Sequence, residues 1–126
     1  MEKLIDKSVS FNSFKKGDVV VTPFPFSDLK SLVRRPALVV ANLKGDDLIL
    51  CQITSKKHYD PYQILLNQKD FSNGGLSVDS FIKPSILFTL RNSIILYKAG
   101  KVNKNKIKEV EDKICDIIRG RKLVCD

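Results

Sequence analysis

From Gly17 onward the chain falls into short apolar stretches cut apart by turn residues, and near the C-terminus the pattern changes period. Asp18–Phe24 is rich in valine and threonine and bounded by Gly17 and Pro25, which predicts a strand. Pro36–Asn42 is an almost unbroken apolar run that opens on a proline, a strand position where the missing N–H is tolerated. Leu43-Lys44-Gly45-Asp46 supplies a turn with a glycine available for positive φ. Asp47–Thr54 then returns as the second arm of a hairpin. Further short strands are expected at Tyr62–Leu66, Ile86–Leu90 and Ser93–Tyr97, with a loop at Asn73-Gly74-Gly75. Closely spaced strands with tight turns predict a mainly β fold, a small antiparallel barrel or sandwich.

The change of period lies after residue 102. Ile107, Val110, Ile114, Ile117 and Ile118 recur at helical spacing and form one apolar stripe. Asn103 is placed to cap the start of that helix and Gly120 to follow its end. Glu109 and Lys113 are spaced as an i,i+4 ion pair on the outer face. The stripe is read as core packing against the barrel. Residues 1–16 are lysine-rich and weakly patterned, an N-terminal arm or short helix ahead of a single domain over 17–126.

Composition narrows the classes. At 126 residues, 43% hydrophobic and 29% charged, the chain can close one apolar core without metals or disulfides. Apolar runs of five or six residues, such as Ala37–Ala41, are far too short to span a bilayer, so no membrane partner is expected. The first residues contain no unbroken apolar segment of the kind a secretory leader needs. Cys51, Cys115 and Cys125 are odd in number and lack C-x-x-C spacing. That argues against a disulfide framework or a zinc site and suits a reducing cytoplasm. A single histidine argues against a histidine-based metal centre, and no cofactor is expected.

Charge adds a partner. Twenty-two Lys and Arg against fourteen Asp and Glu give a formal charge of +8. Such an excess favours a polyanion, either nucleic acid or an acidic protein.

Three pieces carry candidate chemistry: Gly17-Asp18-Val19-Val20, Arg34-Arg35-Pro36-Ala37-Leu38-Val39-Val40, and Gln52-Ile53-Thr54-Ser55. In this order and spacing they resemble the MazF/PemK toxins, and Pro23–Phe26 followed by Ser27-Asp28 is similar to the PemK-like branch. The resemblance runs from about Gly17 to Gly120. It implies an SH3-like barrel of the kind shared with the CcdB toxins, a homodimer, and a cytoplasmic toxin paired with a small acidic antitoxin. It also implies cleavage of single-stranded RNA by attack of a ribose 2′-hydroxyl on the adjacent phosphate. The ends would be a 2′,3′-cyclic phosphate (or 3′-phosphate) and a 5′-hydroxyl. By the same resemblance the catalytic arginine falls on Arg35 and the catalytic threonine on Thr54.

Elementary chemistry agrees with those two roles. Attack on a phosphodiester gathers negative charge on the non-bridging oxygens, where a fixed guanidinium offers paired donors. Pro36 restricts Arg35 to extended backbone, and a threonine at a strand end can donate to the same oxygens. Arginine is a poor proton acceptor, so the general base stays open. His58, four residues after Thr54, is a candidate base, but a surface-loop histidine is the favoured reading.

Arg34, Ser55, Lys56, Lys57 and His58 flank the pair and are candidate RNA contacts, with a solvated charged turn as the alternative for the lysines. Ser27, Asp28 and Ser31 lie in the loop that, by resemblance, closes over substrate. That loop departs from better-known members, which carry a G-S-E-Q-like segment before the arginine. Phe24, Phe26 and Tyr59 could stack on unpaired bases, with a core position as the alternative for Phe24. Two other classes share the barrel: a CcdB-like gyrase poison that needs neither Arg35 nor Thr54, and a silent RNA-binding barrel.

Overall fold

Valine, leucine and isoleucine runs form the middle of an antiparallel sheet in the computed structural model, which describes residues 13–24 and 33–121. The strands are β1 (Asp18–Phe24), β2 (Val33–Asn42), β3 (Asp47–Thr54), β4 (Ile64–Leu66), β5 (Phe71–Gly74), β6 (Ser80–Arg91) and β7 (Tyr97–Val102). Their order across the sheet is β4-β6-β3-β2-β1-β7-β5. A helix, α1 (Lys104–Arg119), follows.

Topology forces the sheet to curl. β4 and β5 occupy opposite edges, yet only the four residues 67–70 separate them in sequence. Extended chain covers at most about 3.5 Å per residue, so the two edges must roll toward each other. Register shifts between Val19 and Val20, Val39 and Ala41, and Cys51 and Gln52 supply local bends. The last of these absorbs the buried Pro84, a residue that cannot donate to a regular ladder. The result is an antiparallel half-barrel.

Strand alternation divides the apolar residues between two cores. Val19, Leu38, Cys51, Ile53 and Ile82 face one side, where α1 lays Val110, Ile107 and Ile114 over them. Val20, Ala37, Val39, Leu48 and Leu50 face the other side, joined by Ile95 and Phe14. Both expected helix ends are present. The Asn103 side chain accepts the Lys106 N–H at 2.8 Å, and Gly120 is left-handed at φ 71° with its N–H on the last carbonyls.

Several expectations need correction. Ser93–Tyr97 is not a strand: residues Asn92–Ile94 form a 3₁₀ turn and the strand runs over Tyr97–Val102 instead. The apolar run there misleads because only Ile95 is buried, while the Leu96 N–H reaches Val21 O and feeds β7 onto β1. Part of the expected loop at Asn73-Gly74-Gly75 belongs to β5, which pairs with β7. β6 starts at Ser80 rather than Ile86, and β4 starts at Ile64 rather than Tyr62. Ile118 faces out, 72% exposed, and Glu109 pairs with Lys106 at 3.0 Å rather than with Lys113.

The proposed arm over 1–16 lies outside the described residues except for Ser13–Lys16. That stretch is stitched to the body: Phe14 N–H donates to Asn92 Oδ1 at 2.9 Å and Lys16 N–H to Asn42 Oδ1 at 2.9 Å.

The cysteines give a first test of the packing. Cys51 lies in the core, and burial pushes its thiol up to about 12, whereas Cys115 is exposed on α1. A maleimide at neutral pH is expected to modify Cys115 and spare Cys51 until denaturant is added. Peptide mass spectrometry reads this directly, and native labelling of Cys51 at the Cys115 rate would contradict the packing.

Candidate active site

The site begins where two strands stop pairing. β2 and β3 are in register up to Ala37 opposite Gln52. Beyond that pair the ladder ends, and β2 continues against β1 alone, with Arg35 opposite Thr22 and Arg34 opposite Pro23. Continued two positions past its last pair, that register would set Arg35 across from Thr54. A fork between β2 and β3 thus has Arg35 on one tine and Thr54 on the other.

Local bonds fix both tines. The buried Thr22 donates its hydroxyl to Arg35 O at 3.3 Å, and Pro36 holds Arg35 extended from the other side. Thr54 is 8% exposed and its Oγ1 accepts the Lys56 N–H at 3.1 Å. With an acceptor lone pair engaged, the Thr54 hydroxyl keeps its own hydrogen for donation.

A cleft of about 270 Å³ occupies the fork. Arg34, Arg35, Thr54 and Ser55 line one part of it, and the β5–β6 connection, through Leu76, Ser77, Val78 and Ser80, lines the other. Among the described residues no carboxylate lines it. The Arg34 and Arg35 guanidinium groups bring positive charge to this lining.

Of the residues singled out from sequence, Arg34, Arg35, Thr54 and Ser55 come together here. Lys56, Lys57, His58 and Tyr59 are exposed on the segment that leaves Thr54, beside the cleft but outside its lining. Ser27, Asp28, Ser31 and Phe26 lie outside the described residues, as does the Phe24 side chain. The Leu76–Ser80 wall was missed. The Gly74-Gly75 pair marks a reversal there, but only the β6 register brings Ser80 beside β3 and β4.

The segment after Thr54 is anchored further on. Lys83 Nζ donates to Asp60 Oδ2 at 2.7 Å, and the Tyr62 N–H donates to Asp60 Oδ1 at 2.9 Å. Burial raises the Asp60 pKa, but the Lys83 hydrogen bond, the Tyr62 N–H, the Lys83 charge and the Gln63 N–H outweigh it. The carboxyl is held below its usual value. Among the described residues no cluster of three or more His, Cys, Asp or Glu could hold a metal ion, and no helix is long and apolar enough to cross a membrane.

Solved structures of similar shape include proteins described as endoribonucleases and as MazF. A mycobacterial endoribonuclease in complex with its cognate antitoxin aligns with TM-score 0.67 at 13% identity, covering 88% of this chain and 99% of that one. MazF from Deinococcus radiodurans aligns with TM-score 0.66 at 19% identity, covering 85% and 97%. The Mycobacterium tuberculosis toxin MazF-mt6 aligns with TM-score 0.63 at 11% identity, covering 84% and 99%. At such identities the likeness speaks for the fold. No curated protein matches the sequence. A family profile described as PemK-like, MazF-like toxin of type II toxin–antitoxin system matches residues 15–118. That span takes in β1 to α1, with both tines of the fork, and the chain belongs to this toxin family.

Proposed function

We propose that this toxin is a metal-independent endoribonuclease that cuts single-stranded RNA by attack of a ribose 2′-hydroxyl on the neighbouring phosphate. One observation carries the reading: Arg35 and Thr54, distant in sequence, line one cleft. In that cleft the Arg35 guanidinium and the Thr54 hydroxyl act as paired donors to the non-bridging oxygens as charge builds on them. Such preorganised donors contribute on the order of 3 kcal/mol each to the barrier. Arg34, Ser55 and the exposed Lys56 and Lys57 follow the backbone of the strand on either side.

The solved relatives include complexes with antitoxins, which supports a partner here too. A disordered acidic segment laid over the basic cleft would fold on contact and block RNA. We place this action in the cytoplasm, with the toxin as a homodimer.

Incubation of the purified protein with long single-stranded RNA in EDTA tests the reading. New 5′-hydroxyl ends are expected. Intact RNA with a mobility shift would instead identify a silent binder, and neither effect combined with gyrase inhibition would identify a CcdB-like poison.

His58 is exposed and outside the cleft lining, so His58→Ala is expected to change kcat by less than about threefold. A loss of a hundredfold or so, with a pH–rate inflection near about 6.5, would make it the general base.

A further inference from the structure

Nine residues, 55–63, connect Thr54 to β4, and their first half has little apolar anchorage. Residues 55–59 are all exposed, Tyr59 at 92%. Beyond the Lys56 N–H on Thr54 Oγ1, polar ties of the segment gather at Asp60. Its carboxylate takes the Tyr62 N–H and Lys83 Nζ, its carbonyl takes the Gln63 N–H at 3.3 Å, and Lys83 also reaches Gln63 Oε1 at 3.5 Å.

This ion pair is sheltered. The Lys83 and Asp60 side chains are 12% and 14% exposed, against 73% and 65% for Lys108 and Asp112 on α1. Exposed pairs contribute little, whereas removing one partner of a sheltered pair strands the other charge. Lys83 stands directly opposite Gln52 on β3, two residues before Thr54. The anchor thus sits on the strand next to the one that bears the Thr54 hydroxyl.

We propose that Asp60 and Lys83 are positioning residues: their ion pair clamps the Ser55–Pro61 segment so that the Lys56 N–H stays on Thr54 Oγ1 and the Lys56 and Lys57 charges stay beside the cleft. The proposal rests on the RNA-cleaving reading of that cleft. A segment already ordered pays less conformational entropy when RNA binds, so the clamp acts on affinity more than on the chemical step.

The test compares Asp60→Asn, which keeps the acceptor for Tyr62, with Lys83→Met, the double variant and Lys83→Arg. Affinity is measured by anisotropy with a short mixed-sequence 2′-O-methyl RNA, which cannot be cleaved, and cleavage by KM and kcat. Hydrogen exchange at the Lys56 amide is followed in parallel. Each of the two clamp-breaking variants is expected to raise Kd and KM about tenfold, change kcat less than about threefold and speed exchange at Lys56. The double variant is expected to be no worse than either single, and Lys83→Arg to behave as wild type. Unchanged Kd and unchanged Lys56 exchange in folded variants would overturn the clamp, as would additive losses in the double variant. Failure of the wild type to cut or bind RNA would count against the nuclease reading instead, and the Lys56 exchange rates alone would then decide the clamp.

Discussion

Arg35→Ala is expected to lower kcat/KM for RNA by at least about a hundredfold. The guanidinium projects from a strand whose backbone is held by the Thr22 hydroxyl and by pairing with β1, neither of which needs the side chain. The substitution removes positive charge from the cleft. Losing one preorganised donor from a developing oxyanion costs about 10²–10³ in rate. Arg35→Lys is expected to recover only part of it, because an ammonium cannot present two parallel donors to a phosphate. Thr54→Val should fall in the same direction, since it removes the hydroxyl and leaves the Lys56 N–H without its acceptor. Single-turnover cleavage under saturating enzyme separates the chemical step from binding. A loss below about fivefold for Arg35→Ala would remove Arg35 from the chemistry.

Gly74→Ala is expected to be the most damaging small substitution, lowering stability by about 2–5 kcal/mol. Gly74 has φ 64°, and an added Cβ would lie 2.3 Å from Ala99 O and 2.6 Å from Gly100 Cα. Both contacts are with backbone, so no rotamer can relieve them. β5 and β7 meet at this point, Gly74 opposite Gly100, and the pairing fixes one edge of the half-barrel. Gly45→Ala is the control. It also carries positive φ, 81°, but nothing lies within 4 Å of its added Cβ, so only the conformational cost of about 1–2 kcal/mol remains. Urea unfolding of the two variants should separate them clearly, and equal midpoints would mean that the β5–β7 contact is looser than described.

The central hairpins and the helix were legible because their own residues determine them. Val19–Val21, Leu38–Val40 and Leu48–Ile53 are rich in residues of high strand propensity, and most of them are buried. Asn103 and Gly120 cap α1 by strictly local bonds. β5 and β7 were not legible, since Phe71–Gly74 and Tyr97–Val102 are rich in glycine, lysine and asparagine. They become strands because β1 presents a free edge to β7, and β7 then presents one to β5. The run Ile94-Ile95-Leu96 misled for the converse reason: its propensity is high, but the chain must turn there. In the cleft, Arg35 and Thr54 were readable from local motifs. The Val78 wall and the Asp60–Lys83 pair were not, because each depends on where β6 lies beside β3 and β4.

The split between rigid strands and bare connections has an evolutionary consequence. Arg35 and Thr54 extend from strands whose neighbouring residues, Ala37 and Ile53, are anchored one in each core. Ser55–Tyr59 and Ser77–Asp79, by contrast, are wholly on the surface. Replacing those surface stretches costs little folding energy, so under the proposed RNA-cleaving function descendants of one ancestral chain would acquire new RNA preferences while inheriting the reaction unchanged.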